Sequence, residues 1–131
     1  VAAALGRAGF RTLVNAASER DETAAAVVGT SEGFATAVPC SIGQLVALVR
    51  RAGVVIAGDS GPLHMGAALE RPVVALFGPT DPARNGPYGT RSVVLRHETS
   101  GTDHARRSET EEGLMRITVD EVVEAALGLL A

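Results

Sequence analysis

GVVIAGDSGPLHMGAAL, residues 53–69, reads as strand, turn and helix in that order. GVVIAG, 53–58, is a short run rich in β-branched residues, the pattern of a buried strand. Pro62 fits a first helical turn, where a missing N–H costs nothing. Ser60 or Gly61 can serve as the N-cap, and Gly61 lets a ligand approach the backbone closely. The free N–H groups of such a turn point at one spot and favour an anion. Asp59 stands at the mouth of that spot, where its carboxylate would repel one.

Outward from this stretch the same alternation continues. PVVALFG, 72–78, and SVVLR, 92–96, are further buried strands. Upstream, 1–9 is helical with Gly9 as a stop, 11–16 is a β run, 20–28 is a helix with an acidic start, and 34–38 is a weak strand. Ser41 and Gln44 form a capping box, followed by an apolar stripe of Ile42, Leu45, Val46 and Val49. Thr118 and Glu121 form a second box, ahead of a face made by Val119, Val122, Val123, Ala126 and Leu130. Strands alternating with helices, each strand apolar on both faces, predict a Rossmann-like α/β fold: a parallel sheet flanked by helices. Two stretches fall outside the pattern. Residues 78–91 are rich in turn formers. Residues 97–113 are almost devoid of apolar side chains, the composition of a solvated or disordered loop.

The 131 residues correspond to one domain, 1–131, large enough for a real core. A net charge of −3 with no basic stripe gives no case for nucleic acid. Cys40 is the only cysteine, so no internal disulfide forms, and a small buried hydrophobe is its expected role. No apolar run is long enough to span a bilayer, and Arg7 interrupts the first apolar stretch, so nothing in these residues is expected to direct the chain out of the cytoplasm. The sequence begins at Val1, inside a helical pattern, and is expected to be a piece of something longer.

In an open α/β sheet, ligands sit beyond the carboxyl ends of the strands. AGDSGP and FGPTDP both leave strands there. Thr80 and Asp81 would present a hydroxyl and a carboxylate at the same crevice, and His64 lies in the first turn of the helix. Asp59 makes sense if the ligand carries hydroxyls beside its phosphate, because carboxylates accept strong hydrogen bonds from sugar hydroxyls. Phosphate next to hydroxyls describes a nucleotide sugar. Holding a metal ion is a rival role for Asp59, with Asp81 as its partner, but the spacing does not argue for it.

DSGPLHMGAAL and RPVVALFGPTDPARNGPYG, at this separation, resemble the C-terminal half of the ADP-heptose:lipopolysaccharide heptosyltransferases, glycosyltransferase family 9. The resemblance is specific over 57–89 and weaker elsewhere. It implies the donor-binding half of a GT-B glycosyltransferase, with the N-terminal acceptor domain absent from this chain. It implies metal-independent, inverting transfer of heptose from ADP-heptose to the lipopolysaccharide inner core, without a cofactor. The catalytic base would lie in that N-terminal domain, so no catalytic residue is assigned here. Carried over residue by residue, Asp59 is the donor-binding aspartate, Ser60 and Gly61 supply phosphate-binding amides, and His64 adjoins them. Glu22 is the best match for a ribose-binding glutamate and Glu19 the second, although NAASERDE lacks the family's Gly-rich turn. The parent is expected in the cytoplasm or peripherally on the inner face of the cytoplasmic membrane. The isolated piece is expected to be marginally stable or to self-associate. No family role falls on 97–113, where His97, His104, Arg106 and Arg107 could meet an anionic acceptor. Two other functions are weighed: a nucleotide-sugar epimerase of GT-B shape, and a non-catalytic nucleotide-binding domain. A dehydrogenase is disfavoured because no G-x-G-x-x-G follows a strand, and a serine hydrolase because Ser60 lacks a G-x-S-x-G elbow.

Overall fold

The computed structural model describes residues 1–102 and 110–131. The chain divides into two compact units, Val1–Leu48 and Val49–Ala131. His104, Arg106 and Arg107 lie outside the described residues.

In the first unit, α1 (Ala2–Arg7) leads to β1 (Thr12–Ala16), α2 (Glu22–Gly29) and β2 (Ala35–Pro39). Helix α1 stops where expected, because Gly9 takes φ +94°, a conformation that costs a residue without a side chain little. The two strands pair in parallel, from Thr12 opposite Ala35 to Ala16 opposite Pro39. Both helices pack on them, with Leu5, Ala16, Ala24 and Ala35 buried. Small residues set how closely α1 packs: a Cβ on Gly6 would fall 2.0 Å from Phe34 Cγ. Ser31 is fully buried but satisfied, donating to the Val28 carbonyl at 2.7 Å and accepting from the Ala35 N–H at 3.1 Å. Helix α3 (Ile42–Arg50) follows, opened by the predicted Ser41–Gln44 box. Its stripe begins one turn later than predicted. Leu45 and Val49 are buried, whereas Ile42, in the first turn, is 72% exposed. Cys40 is half-buried rather than buried, with its thiol 3.5 Å from Asn15 Oδ1.

In the second unit, β3 (Val55–Gly58), α4 (Gly61–Ala68), β4 (Val73–Phe77) and β5 (Ser92–Arg96) alternate before α7 (Val119–Leu130) closes the chain. The sheet order is β3-β4-β5, all parallel. Central β4 explains why PVVALFG is apolar without alternation. Leu63 of α4 packs with Val73, Ala75 and Phe77, while Val74, pointing the opposite way, is equally buried. Helix α7 lies against β4 and β5. Gly66 permits the close approach of α4, since a Cβ there would meet Val73 Cγ1 at 3.0 Å and Val55 Cγ2 at 3.2 Å. The expectation that 53–58 and 92–96 are buried strands is corrected: Val55, Ile56, Ala57, Val93 and Leu95 are half-buried and Val94 is exposed, because β3 and β5 are the edge strands of this sheet. The α7 face also differs from the prediction. Val122, Ala126 and Leu129 are buried, and Val119, in the first turn, is 55% exposed.

Two short helices arise where turn or loop was expected. α5 (Pro82–Asn85) lies inside 78–91, capped by Asp81. α6 (Glu112–Met115) forms at the end of the polar stretch, capped by the Glu111 carboxylate on the Leu114 N–H. Ser100 donates to the same carboxylate at 3.1 Å, and Arg96 Nε donates to the Gly78 carbonyl at 3.1 Å. The ends of 97–113 are therefore built into the second unit by polar contacts, which an apolar-pattern reading does not register.

Candidate functional site

The site of the second unit forms where two neighbouring parallel strands end. Gly58 of β3 stands opposite Leu76 of β4, so the segments after them, 59–61 and 78–81, leave the sheet at the same edge. This brings together Asp59, Ser60, Gly61, His64, Thr80 and Asp81 in one region, as the sequence predicts.

The start of α4 is narrower as an anion site than a bare helix terminus. Ser60 occupies the N-cap in an extended conformation, but its hydroxyl donates to the Gly58 carbonyl at 3.0 Å and does not cap the helix. Pro62 has no N–H. The Leu63 and His64 N–H groups both turn back to the Ser60 carbonyl, at 3.1 and 3.3 Å. The Ser60 and Gly61 N–H groups remain without a partner among the described residues. Two amides rather than a full turn thus face outward. A Cβ built on Gly61 meets nothing within 4 Å, so none of the described residues crowds a side chain there.

Asp59 is held by the protein itself. Its Oδ1 lies 3.0 Å from His64 Nε2, and its Oδ2 accepts from Asn85 Nδ2 at 3.1 Å. The Thr80 side chain supplies a further hydrogen bond. The side chain is 18% exposed. Burial pushes the carboxyl pKa up, but the hydrogen bonds from Asn85, His64 and Thr80, with the charge of His64, together bring it below its ordinary value. An ionised Asp59 beside an anion site is therefore balanced by donors from the β4–α5 segment and from α4. A carboxylate offers about four acceptor positions, so one remains for a ligand.

The other candidates divide. Asp81 is a helix cap: its Oδ1 accepts from the Ala83 N–H at 2.9 Å. The start of α5 occupies that oxygen, a local role that the sequence pattern does not show. Thr80 faces Asp59. Asn85, which the sequence reading did not select, is a central member of the cluster. Its only sequence signal is a polar residue at the head of the NGPYG turn, 26 positions from its partner. Glu22 belongs to the first unit, exposed at the first position of α2, where Asp21 does the capping. Glu19 is exposed in the turn before it. Among the described residues, no group of three His, Cys, Asp or Glu could hold a metal ion, and no helix is long and apolar enough to cross a membrane.

Beside this cluster lies an open pocket of about 410 Å³, running from His64 along α4 to the 84–88 turn.

Comparison with known proteins gives a consistent result. The family model for glycosyltransferase family 9 (heptosyltransferase) matches residues 1–115. Lipooligosaccharide heptosyltransferase 2 of Haemophilus ducreyi is 36% identical over 96 residues, 69% of this chain and 28% of that protein. Lipopolysaccharide heptosyltransferase 2 of Salmonella typhimurium is 36% identical over 92 residues, covering 67% and 26%. Among solved structures, an ADP-heptose lipopolysaccharide heptosyltransferase II from E. coli superposes with a TM-score of 0.84 at 25% identity, over 98% of this chain and 39% of that one. A family 9 glycosyl transferase from Veillonella parvula gives a TM-score of 0.79 at 30% identity, over 98% and 39%. The chain thus spans between a quarter and a third of the length of these two curated relatives.

Proposed function

Because the chain belongs to glycosyltransferase family 9, the heptosyltransferases, we propose that it is the donor-binding part of an enzyme that transfers heptose from ADP-heptose to the lipopolysaccharide inner core with inversion. The observation that carries this reading is the turn between β3 and α4. Two outward amides, from Ser60 and Gly61, stand beside a carboxylate already supplied with donors. That arrangement suits a diphosphate whose neighbour is a sugar. The amides take the diphosphate, and the remaining acceptor position of Asp59 takes a sugar hydroxyl. His64 carries its ring beside both.

In the transfer step, an acceptor hydroxyl oxygen bonds to the anomeric carbon as the bond from that carbon to the β-phosphate oxygen breaks. ADP leaves, and the hydroxyl proton passes to a base. That base and the acceptor site belong to the N-terminal domain of the complete enzyme, so residues 1–131 bind ADP without transferring sugar. The complete enzyme works in the cytoplasm or at the inner face of the cytoplasmic membrane, where its acceptor is anchored.

The test is calorimetric titration of the chain with ADP, with Gly61→Val as control. Saturable binding that the substitution weakens supports the reading. Absence of ADP binding, or binding indifferent to Gly61→Val, overturns it. Sedimentation of the same sample measures the proposed self-association.

A further inference from the structure

The carbonyl of Gly78 links the polar stretch after β5 to the candidate site. The β4–β5 ladder ends with Phe77 opposite Arg96, so Gly78 leaves the sheet one residue beyond it. Gly78 is buried, and its carbonyl accepts from Arg96 Nε at 3.1 Å. A buried carbonyl past the end of a ladder needs such a donor. The other side of Gly78 is closed by α6: a Cβ there would lie 3.1 Å from Leu114 Cβ and 3.2 Å from Glu111 Oε2.

Glu111 is held in turn. Its carboxylate accepts from the Leu114 N–H at 2.9 Å, the Ser100 hydroxyl at 3.1 Å and the Gly113 N–H. Gly113 lets these segments meet, since a Cβ there would stand 2.0 Å from Ser100 Oγ. Burial pushes the Glu111 carboxyl pKa up, but these hydrogen bonds and the nearby charge of Arg96 bring it below its ordinary value. Arg96 Nη2 donates outward to Thr102 Oγ1 at 3.2 Å. The half-buried guanidinium is thus fixed between Gly78, Thr102 and the Glu111 charge.

The segment that starts at Gly78 delivers two of the three side-chain donors to Asp59. Thr80 follows two residues on, and Asn85 comes from α5. The third donor, His64, belongs to α4. Pro79, between Gly78 and Thr80, has its φ locked by its ring, which leaves little slack. A displacement of the Gly78 carbonyl therefore reaches Asp59 through a short, stiff span.

We propose that Arg96 is a positioning residue for Asp59: its hydrogen bond to the Gly78 carbonyl, backed by Glu111, sets where Thr80 and Asn85 stand. The consequence for sugar binding rests on the donor reading proposed above; the placing of Asp59 does not.

The experiment compares two side chains of equal length. Gln Nε2 lies as many bonds from Cα as Arg Nε, so Arg96→Gln keeps a donor at that place, while Arg96→Met keeps the length and removes it. Carboxyl 13C NMR across pH reads the Asp59 pKa in the chain. Arg96→Met should raise it, because Thr80 and Asn85 move away from the carboxylate. Arg96→Gln should hold it where the unaltered chain has it. Asp21→Ala, a cap variant of the first unit, should lose stability without moving it, which separates positioning from stability. Should Arg96→Met not fold, Arg96→Lys takes its place: its ammonium keeps the charge and lies one bond too far out, so a rise is again expected. An Asp59 pKa unmoved in the folded variant, or raised equally in Arg96→Gln, overturns the proposal. Calorimetry supplies the ligand arm: Arg96→Met should weaken ADP-heptose about tenfold and ADP little, since the amides hold the diphosphate. ADP-heptose that follows ADP in every variant, or no ADP binding to the unaltered chain, counts against the donor reading and leaves the Asp59 measurement to decide the positioning role.

Discussion

Of the strand-to-helix turns that carry an aspartate, the β1–α2 and β3–α4 turns set their carboxylates against different kinds of partner. Between β1 and α2, Asp21 accepts from the backbone N–H groups of Ala24 and Ala17, both at 2.9 Å. Between β3 and α4, Asp59 accepts from side chains: His64, Asn85 and Thr80. Both pKa values are lowered, for different reasons. For Asp21 the Ala24 N–H is the main cause, with Ala17 next. For Asp59 burial opposes the shift and side-chain donors overcome it. A carboxylate bound to backbone shapes its own turn. One bound by three side chains ties separate segments together and leaves the amides of its helix start to something else.

The largest expected effect separates the two. In the complete transferase, Asp59→Ala should lower kcat/KM with ADP-heptose by about 10–100-fold, the loss of a charged hydrogen-bond partner worth ~1.5–3 kcal/mol. Asp21→Ala should leave the same constant unchanged once the protein is folded. Equal losses in steady-state assays would erase the distinction.

Two glycines of α4 sharpen it next. Gly61→Val should weaken ADP binding by roughly tenfold with little change in thermal midpoint, since its side chain meets open space in the protein and crowds only a ligand. Gly66→Ala should do the reverse, lowering the midpoint because Val73 and Val55 stand in the way. Calorimetric titration and thermal melts of both variants decide this. A collapse of stability in Gly61→Val would make that glycine structural.

A smaller effect concerns the cap. Asp21→Ala should lower the thermal midpoint, and Asp21→Asn should recover most of it, because an amide oxygen also accepts from Ala24. If Asn fails to rescue, the charge rather than the hydrogen bond matters.

The smallest is in the acid limb. A carboxylate whose folded pKa is depressed contributes stability that is fully present above its unfolded pKa and is lost as pH falls through the folded one. Urea midpoints should therefore fall with pH only below the ordinary aspartate range, and Asp59→Asn should flatten that slope. An unchanged slope would show that the side-chain donors do not favour the ionised form.

Much of this was legible in the chain because its cause is local. The three strands of the second unit, the two capping boxes and the Gly9 stop all follow from neighbours within a few positions. The misplaced faces are also instructive. Ile42 and Val119 continue their apolar patterns but fall in first turns that extend beyond the buried contact. FGPTDP has the composition of a loop, whereas a four-residue helix at Pro82 gives the Asp81 carboxylate a structural partner as well.

By itself the sequence determined the α/β alternation, the family, and the two segments that meet at the carboxyl edge of the sheet. Periodicity, capping and turn chemistry act over short spans, so a linear pattern carries them. Only the tertiary structure decided what Asp59 binds. Asn85 is 26 residues from Asp59, and nothing in the spacing joins them. They meet because β3 and β4 pair in parallel and release their following segments at one edge, where hydrogen-bond donors from separate segments converge on a single half-buried carboxylate.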